Sequence, residues 1–257
     1  MTKKDKAILI VEQLEKRYPQ ATCSLVAEKP YELLIATRLS AQCTDARVNI
    51  VTKPLFEKYR SVEEFANAKI EDVENIIRSC GLYKTKARDV VKMCQQIIEN
   101  FDGVVPDSIE KLTTLSGIGR KTANLIMGDI YHQPAVVTDT HLIRISNRLG
   151  LVDTKDPYKV EMALKKILPP EKSSDFCHRI VHFGRDVCKA PTPKCDICEL
   201  KELCKEYKSK KSWQNRNYYI LLIYNLILDR GAVIISIFTF LALVCEVKGI
   251  IAEIKSF

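Results

Sequence analysis

Three groups of residues in this 257-residue chain have types and spacings that could do chemistry. The stretch LSGIGRKTANLI, Leu115 to Ile126, sets Gly117, Gly119, Arg120 and Lys121 at the mouth of a segment with helical periodicity. Asp139 follows eighteen residues after Lys121, inside VVTDTHLIRISNRLG. Cys188, Cys195, Cys198 and Cys204 crowd into 17 residues with the spacing C-x6-C-x2-C-x5-C. An amine can act as a nucleophile, a carboxylate can stabilise positive charge or move protons, and four thiolates can close around a metal centre.

The glycine-rich stretch fits neither familiar nucleotide cradle. A dinucleotide fingerprint needs a third glycine where Thr122 stands, and a P-loop needs glycine directly before the lysine, where Arg120 stands. What remains is a helix, a Gly-x-Gly hairpin and a second helix, with backbone amides at the second N-terminus suited to one phosphate of a nucleic-acid backbone. Lys121, in the first turn of that second helix, is either one more phosphate-pairing lysine or an amine freed for attack by the helix N-terminus and neighbouring Arg120. Asp139 reads equally well as the N-cap of a helix over 140–148. The two readings are compatible, because a capping carboxylate is rigidly aimed.

The four clustered cysteines point to metal rather than to a disulfide framework, since the other six are scattered. Zinc ribbons usually offer two C-x2-C knuckles and this segment has one, so spacing leaves both zinc and an iron–sulfur cluster open. Cys94 falls on the apolar face of a long helix and reads as a core residue, as do Cys23, Cys80 and Cys177.

The elements that must position these groups are helices. Gly and Pro are few, at 9 and 10, and the composition, 46% hydrophobic and 28% charged, is that of a globular protein with an all-α fold. Amphipathic segments are expected at 31–39, 45–59, 62–68, 70–79 and 83–101. A short helix capped by an Asp107/Glu110 box should end near Thr114, and its successor should run to about Tyr131. Further helices are expected from Asp156-Pro157, with Val160, Ala163, Leu164 and Ile167 facing inward, and over 175–187. The net charge of +8 lies entirely in the first 217 residues and suits a polyanionic partner. The start, helical in period and without a cleavage site, is neither a signal nor a transit peptide, which suggests a cytoplasmic location.

LSGIGRKTAN, the aspartate of VVTDTHLIRISNRLG and the four cysteines together resemble the endonuclease III family of DNA glycosylases, over approximately residues 5 to 208. The resemblance implies a helix-hairpin-helix glycosylase fold. A six-helix domain would span 22–132, with the hairpin at about 108–131. A discontinuous cluster domain would take 1–21 and 133–211, and a cleft would separate the two. It implies Lys121 as the nucleophile and Asp139 as the essential carboxylate at that cleft. Gln42 would fill the gap left by a flipped base, Leu82 would intercalate, and His141 would lie near the flipped base; alone, Gln42 would read as a surface residue and Leu82 as a core one. The cysteine spacing would be that of one 4Fe-4S cluster holding a loop whose Lys189 and Lys194 could meet phosphates. The implied activity is removal of oxidised or ring-damaged pyrimidines, then strand cleavage 3′ to the abasic site. Double-stranded DNA would be the partner, with no nucleotide cofactor, for a monomer of bacterial, nucleoid-associated type. The rivals are a mismatch adenine glycosylase, which lacks the nucleophilic lysine, and a non-catalytic DNA-binding iron–sulfur protein.

After about Lys211 the resemblance stops. Residues 212–257 form an apolar extension, and the uncharged run Gly231 to Cys245 is shorter than the roughly 20 residues of a spanning helix. A membrane anchor, a β-hairpin turning at Asp229-Arg230-Gly231 and a dispensable extension all fit.

Overall fold

A computed structural model describes residues 1–229. Among these residues every regular element is helical, as the composition implies. Contacts divide the chain into Met1–Tyr207 and Lys208–Phe257, four residues before the boundary expected after 211.

The first unit begins with α1 (Lys3–Arg17), capped by a Thr2/Asp5 box, and α2 (Pro30–Leu39). Next come α3 (Asp45–Lys58), α4 (Val62–Ala66), α5 (Ile70–Ile76) and α6 (Tyr83–Phe101). The hairpin is formed by α7 (Ile109–Leu112) and α8 (Arg120–Asp129). The chain continues through α9 (Thr140–Leu149), α10 (Pro157–Lys165) and α11 (Ser173–Asp186). Residues 22–132 thus carry seven helical segments where six were expected, two of them a turn or so long. The final helix, α12 (Lys205–Asp229), contains the residues that a hairpin at Asp229 would need as its first strand, so that reading is overturned. No described helix is long and apolar enough to cross a membrane. The Gly231 to Cys245 run lies outside the described residues.

Local chemistry explains the boundaries. Asp156 accepts the Lys159 amide at 2.8 Å ahead of Pro157, fixing the start of α10. For α7 the cap is Ser108, which accepts from the Lys111 amide, and not Asp107 as the capping-box pattern suggested. Capping one residue later, at the Lys111 amide, starts the helix at Ile109, and it ends at Leu112 rather than near Thr114.

Two apolar cores occupy the first unit. One gathers Leu34, Leu55, Phe65, Val90, Cys94 and Ile126 from α2 to α8; the other gathers Ile10, Leu14, Leu142, Ile145, Phe176 and Ile180 from α1, α9 and α11. The helix α8 belongs to both: Ala123, Ile126 and Met127 face the first core and Leu125 the second. The backbone passes from one core to the other between Ala135 and Val136. The helix that carries Lys121 therefore lies along the seam. Lys86, fully buried in α6, donates to the Leu39 carbonyl at 2.8 Å and so caps the last turn of α2 from the side. Burial holds its ammonium below its ordinary pKa.

Candidate active site

The Gly-x-Gly turn is fastened from beneath. Ser116 donates its amide to Gln96 at 2.7 Å and its hydroxyl to Asp89 at 3.0 Å, and Arg38 donates twice to the other Asp89 oxygen. Gly117 has φ +75°, and a Cβ there would come within 2.7 Å of Arg38 Cδ. Its lack of a side chain serves internal packing as well as the turn. Gly119 is different: it is the N-cap of α8, and a Cβ on it would meet nothing within 4 Å. Both glycines are exposed, and a side chain could be added without collision at Gly119 but not at Gly117.

The two basic residues at the start of α8 diverge. Arg120 places Nε 2.7 Å and Nη2 2.8 Å from the two carboxylate oxygens of Glu161 on α10, and its guanidinium lies over the Tyr158 ring. The side chain of Glu161 is only 1% exposed and is also held by Lys165. Burial raises the Glu161 pKa, but the hydrogen bonds from Arg120 and Lys165 outweigh it and keep the carboxyl below its ordinary value. Arg120, counted among the residues expected at the DNA, is thus also a fastener between α8 and α10. Its charge is largely compensated, so it is no strong cationic neighbour for Lys121. Lys121 is exposed and lines a cavity.

Asp139 lines the same cavity. Its Oδ1 accepts the Leu142 amide at 2.7 Å, the N-cap of α9 that the sequence suggested, and this fixes the carboxylate's direction. His141, the second residue of α9, lies 3.3 Å from Arg144 Nη2, which also donates to the Cys188 carbonyl at 2.9 Å. Burial, with help from Arg144, Arg185 and Lys121, lowers the His141 pKa against the pull of Asp139. The close fit of α9 on α11 depends on Gly184, where a Cβ would approach Ile145 Cδ1 to 3.0 Å.

The cavity measures about 150 Å³, the volume that accommodates a single benzene ring in a buried apolar site. Its wall includes one face of α11, on which His178, Val181, His182 and Arg185 recur at helical spacing. Arg185 crosses to Asp45 at the start of α3, at 3.1 Å. Sequence reasoning passed over these α11 residues; three basic side chains on one face of an otherwise apolar-patterned helix were the available signal. Cys23 also lines the cavity, but burial pushes its thiol to about 11, so it is no thiolate competitor for Lys121 near neutral pH.

Gln42 and Leu82 are both exposed and both adopt left-handed backbone, with φ 54° and 58°. Leu82 is 58% exposed, which overturns its reading as a core residue. The Gln42 carbonyl lies 3.5 Å from a Cβ position on Gly81, so the two loops adjoin. Lys189 and Lys194 are exposed.

The four clustered cysteines are half-buried beside the second core, near fully buried Leu200. Arg148 donates to Cys188 Sγ at 3.4 Å and to the Lys189 carbonyl at 3.0 Å; Cys204 Sγ lies 3.3 Å from the Arg148 carbonyl. Among the described residues no three His, Cys, Asp or Glu side chains converge closely enough to hold a single metal ion.

Comparison with known proteins agrees with this geometry. The family model described as HhH-GPD superfamily base excision DNA repair protein matches residues 35–170. Endonuclease III of Synechocystis sp. is 44% identical over 204 residues, which is 79% of this chain and 93% of that protein. Endonuclease III of Bacillus subtilis is 43% identical over 76% of this chain and 90% of its own. A solved structure of a trapped endonuclease III–DNA covalent intermediate superposes with a TM-score of 0.76 at 44% identity, covering 82% of this chain and all of that one. A helix-hairpin-helix opening onto a cavity shared by a lysine and a capping aspartate is therefore embedded in a chain similar to these repair proteins along most of its length. The chain belongs to the HhH-GPD superfamily of base excision DNA repair proteins, and within it to the endonuclease III family.

Proposed function

We propose that this chain removes oxidised or ring-damaged pyrimidines from duplex DNA and then cleaves the strand 3′ to the abasic site, with Lys121 as nucleophile and Asp139 as its carboxylate partner. The observation that carries the reading is that both residues line one cavity of single-ring volume. Endonuclease III has been solved in covalent and non-covalent complexes with DNA, which supports double-stranded DNA as the partner here.

The chemistry follows from the residue types. As the bond between the sugar C1′ and the base breaks, the base departs with the electron pair and takes up a proton. Positive charge builds on the sugar, and the Asp139 carboxylate offsets it. The Lys121 amine forms a bond to C1′, and loss of its proton with opening of the sugar ring gives a Schiff base. Removal of a C2′ proton then sends an electron pair into a new C2′–C3′ double bond, and the 3′ phosphate leaves with the C3′–O pair. Water finally hydrolyses the Schiff base and frees Lys121. Asp139 is suited to relay the protons, since its other oxygen already anchors it to α9. Gln42 and Leu82, presented by adjoining exposed loops, would fill the stack where the nucleotide has swung out, and His141 would lie beside the everted base. The amides at Gly119 with Lys189 and Lys194 supply phosphate contacts.

Cys188, Cys195, Cys198 and Cys204 would hold one 4Fe-4S cluster. The fit rests on the donor set: four half-buried sulfurs within 17 residues and the Arg148 donor against Cys188. When bound, the cluster acts structurally by pinning the loop that carries Lys189 and Lys194.

The adenine-glycosylase alternative is not favoured, because Lys121 occupies the nucleophile position and the similar full-length relatives are endonucleases III. The test is borohydride trapping on a duplex with an abasic site. Wild type should form a covalent adduct and Lys121→Ala should not; an undiminished adduct with the variant would remove Lys121 from its role.

A further inference from the structure

We infer that His178, oriented by Asp129, recognises the everted base in the cavity that it shares with Lys121. This rests on the glycosylase reading above and adds a residue that none of the motifs points to. His178 Nε2 lies 2.8 Å from Asp129 Oδ1, and the two side chains are 12% and 15% exposed. Asp129 Oδ1 also accepts from the Ser174 hydroxyl at 3.4 Å, whereas Asp129 Oδ2 is buried with no hydrogen-bond partner, so the pair is incompletely satisfied behind the cavity wall that His178 lines. An enclosed polar pair of this kind is costly unless something else uses it.

The placement says what could use it. Lys121 opens α8 and Asp129 closes it, eight residues on, or about 12 Å along the axis. One helix therefore carries the amine that would attack the sugar and, toward the other end, the carboxylate that holds the imidazole. Lys121 and His178 line one cavity, so a nucleotide whose C1′ lies at Lys121 and whose base enters that cavity meets His178 in its wall. In the neutral imidazole, donation from Nε2–H to Asp129 leaves Nδ1 as the lone-pair acceptor, and among the described residues Nδ1 makes no hydrogen bond. Its complement is a ring N–H donor. Uracil- and thymine-derived lesions carry a hydrogen on N3 of the ring; cytosine-type rings carry a lone pair there. His178 thus favours damaged pyrimidines of the uracil and thymine type.

The experiment separates base recognition from strand cleavage. One duplex carries 5,6-dihydrouracil and a second, of the same sequence, a preformed abasic site with no base to recognise. For His178→Phe the ratio of dihydrouracil excision to abasic-site cleavage, each as kcat/KM, should fall about tenfold relative to wild type, as expected for one lost hydrogen bond. Asp129→Asn, which keeps the side-chain shape but can donate to Nε2 and so reverse the tautomer, should shift the ratio in the same direction. An unchanged ratio in Asp129→Asn and in any folded His178 variant would overturn the inference, including the case where both activities fall together. Failure of wild type to form the borohydride adduct would instead overturn the underlying lyase reading.

Discussion

Arg120 and Glu161 form a two-pronged ion pair across the seam of the molecule, with the carboxylate almost wholly buried and the guanidinium 40% exposed. The residue beside the proposed nucleophile is thereby tied to α10. Glu161→Gln leaves Arg120 and Lys165 without their shared anion and should destabilise the chain by about 2 kcal/mol, a moderate value because both cations can turn to water. Urea denaturation reads this as a lower midpoint with an unchanged slope. Arg120→Ala should behave the same way, and its effect on DNA affinity should be small beside its effect on stability.

Asp139 combines a cap with a charge, and the two separate by substitution. Asn is as good an N-cap as Asp, so Asp139→Asn should melt within about 1 °C of wild type. Excision should nonetheless fall by at least about a hundredfold, because the charge that offsets the sugar cation is gone. Asp139→Ala should lose both the activity and about 1 kcal/mol of stability.

Gly117→Ala combines a left-handed backbone with a collision at Arg38. It should cost at least about 2 kcal/mol, the sum of αL strain and displacement of the Arg38–Asp89 pair. Gly119→Ala, at extended φ −99° in open space, should leave the melting temperature nearly unchanged while weakening DNA binding. Thermal melts and binding titrations at fixed salt distinguish the two glycines.

His141 gives the fold a pH dependence of definite sign. Its folded pKa lies below the ordinary 6.5, so below about pH 6.5 the unfolded chain binds more protons than the folded one. This contribution falls as pH drops through that value and is absent as a penalty above it. His141→Gln should therefore show a smaller loss of melting temperature between about pH 8 and about pH 5.5 than wild type does.

The helical class, most element boundaries, the cap at Asp139 and the inward face of α10 were legible because they are local: a 3.6-residue period, a side chain three residues from the amide it satisfies, a proline at the first turn. The Arg120–Glu161 pair was not legible, because the partner lies 41 residues away in sequence and no local pattern points to it. Leu82 was ambiguous for the same reason; whether a leucine at a helix start packs or protrudes depends on the left-handed turn before α6. His178 and Asp129 were invisible, since 49 residues separate two halves of one pair.

Because α8 is buried in both cores and α1 packs on α11, the order in which the chain is made has a consequence. During synthesis the first core can close around α2 to α8, presenting Lys121 early, while α1 must wait for partners some 160 residues downstream. Asp139, His178 and the α11 wall arrive only with that late closure. A nascent chain ending before α11 would thus carry Lys121 without the α11 wall of its pocket, and the complete cavity forms only once Ser173–Asp186 has emerged.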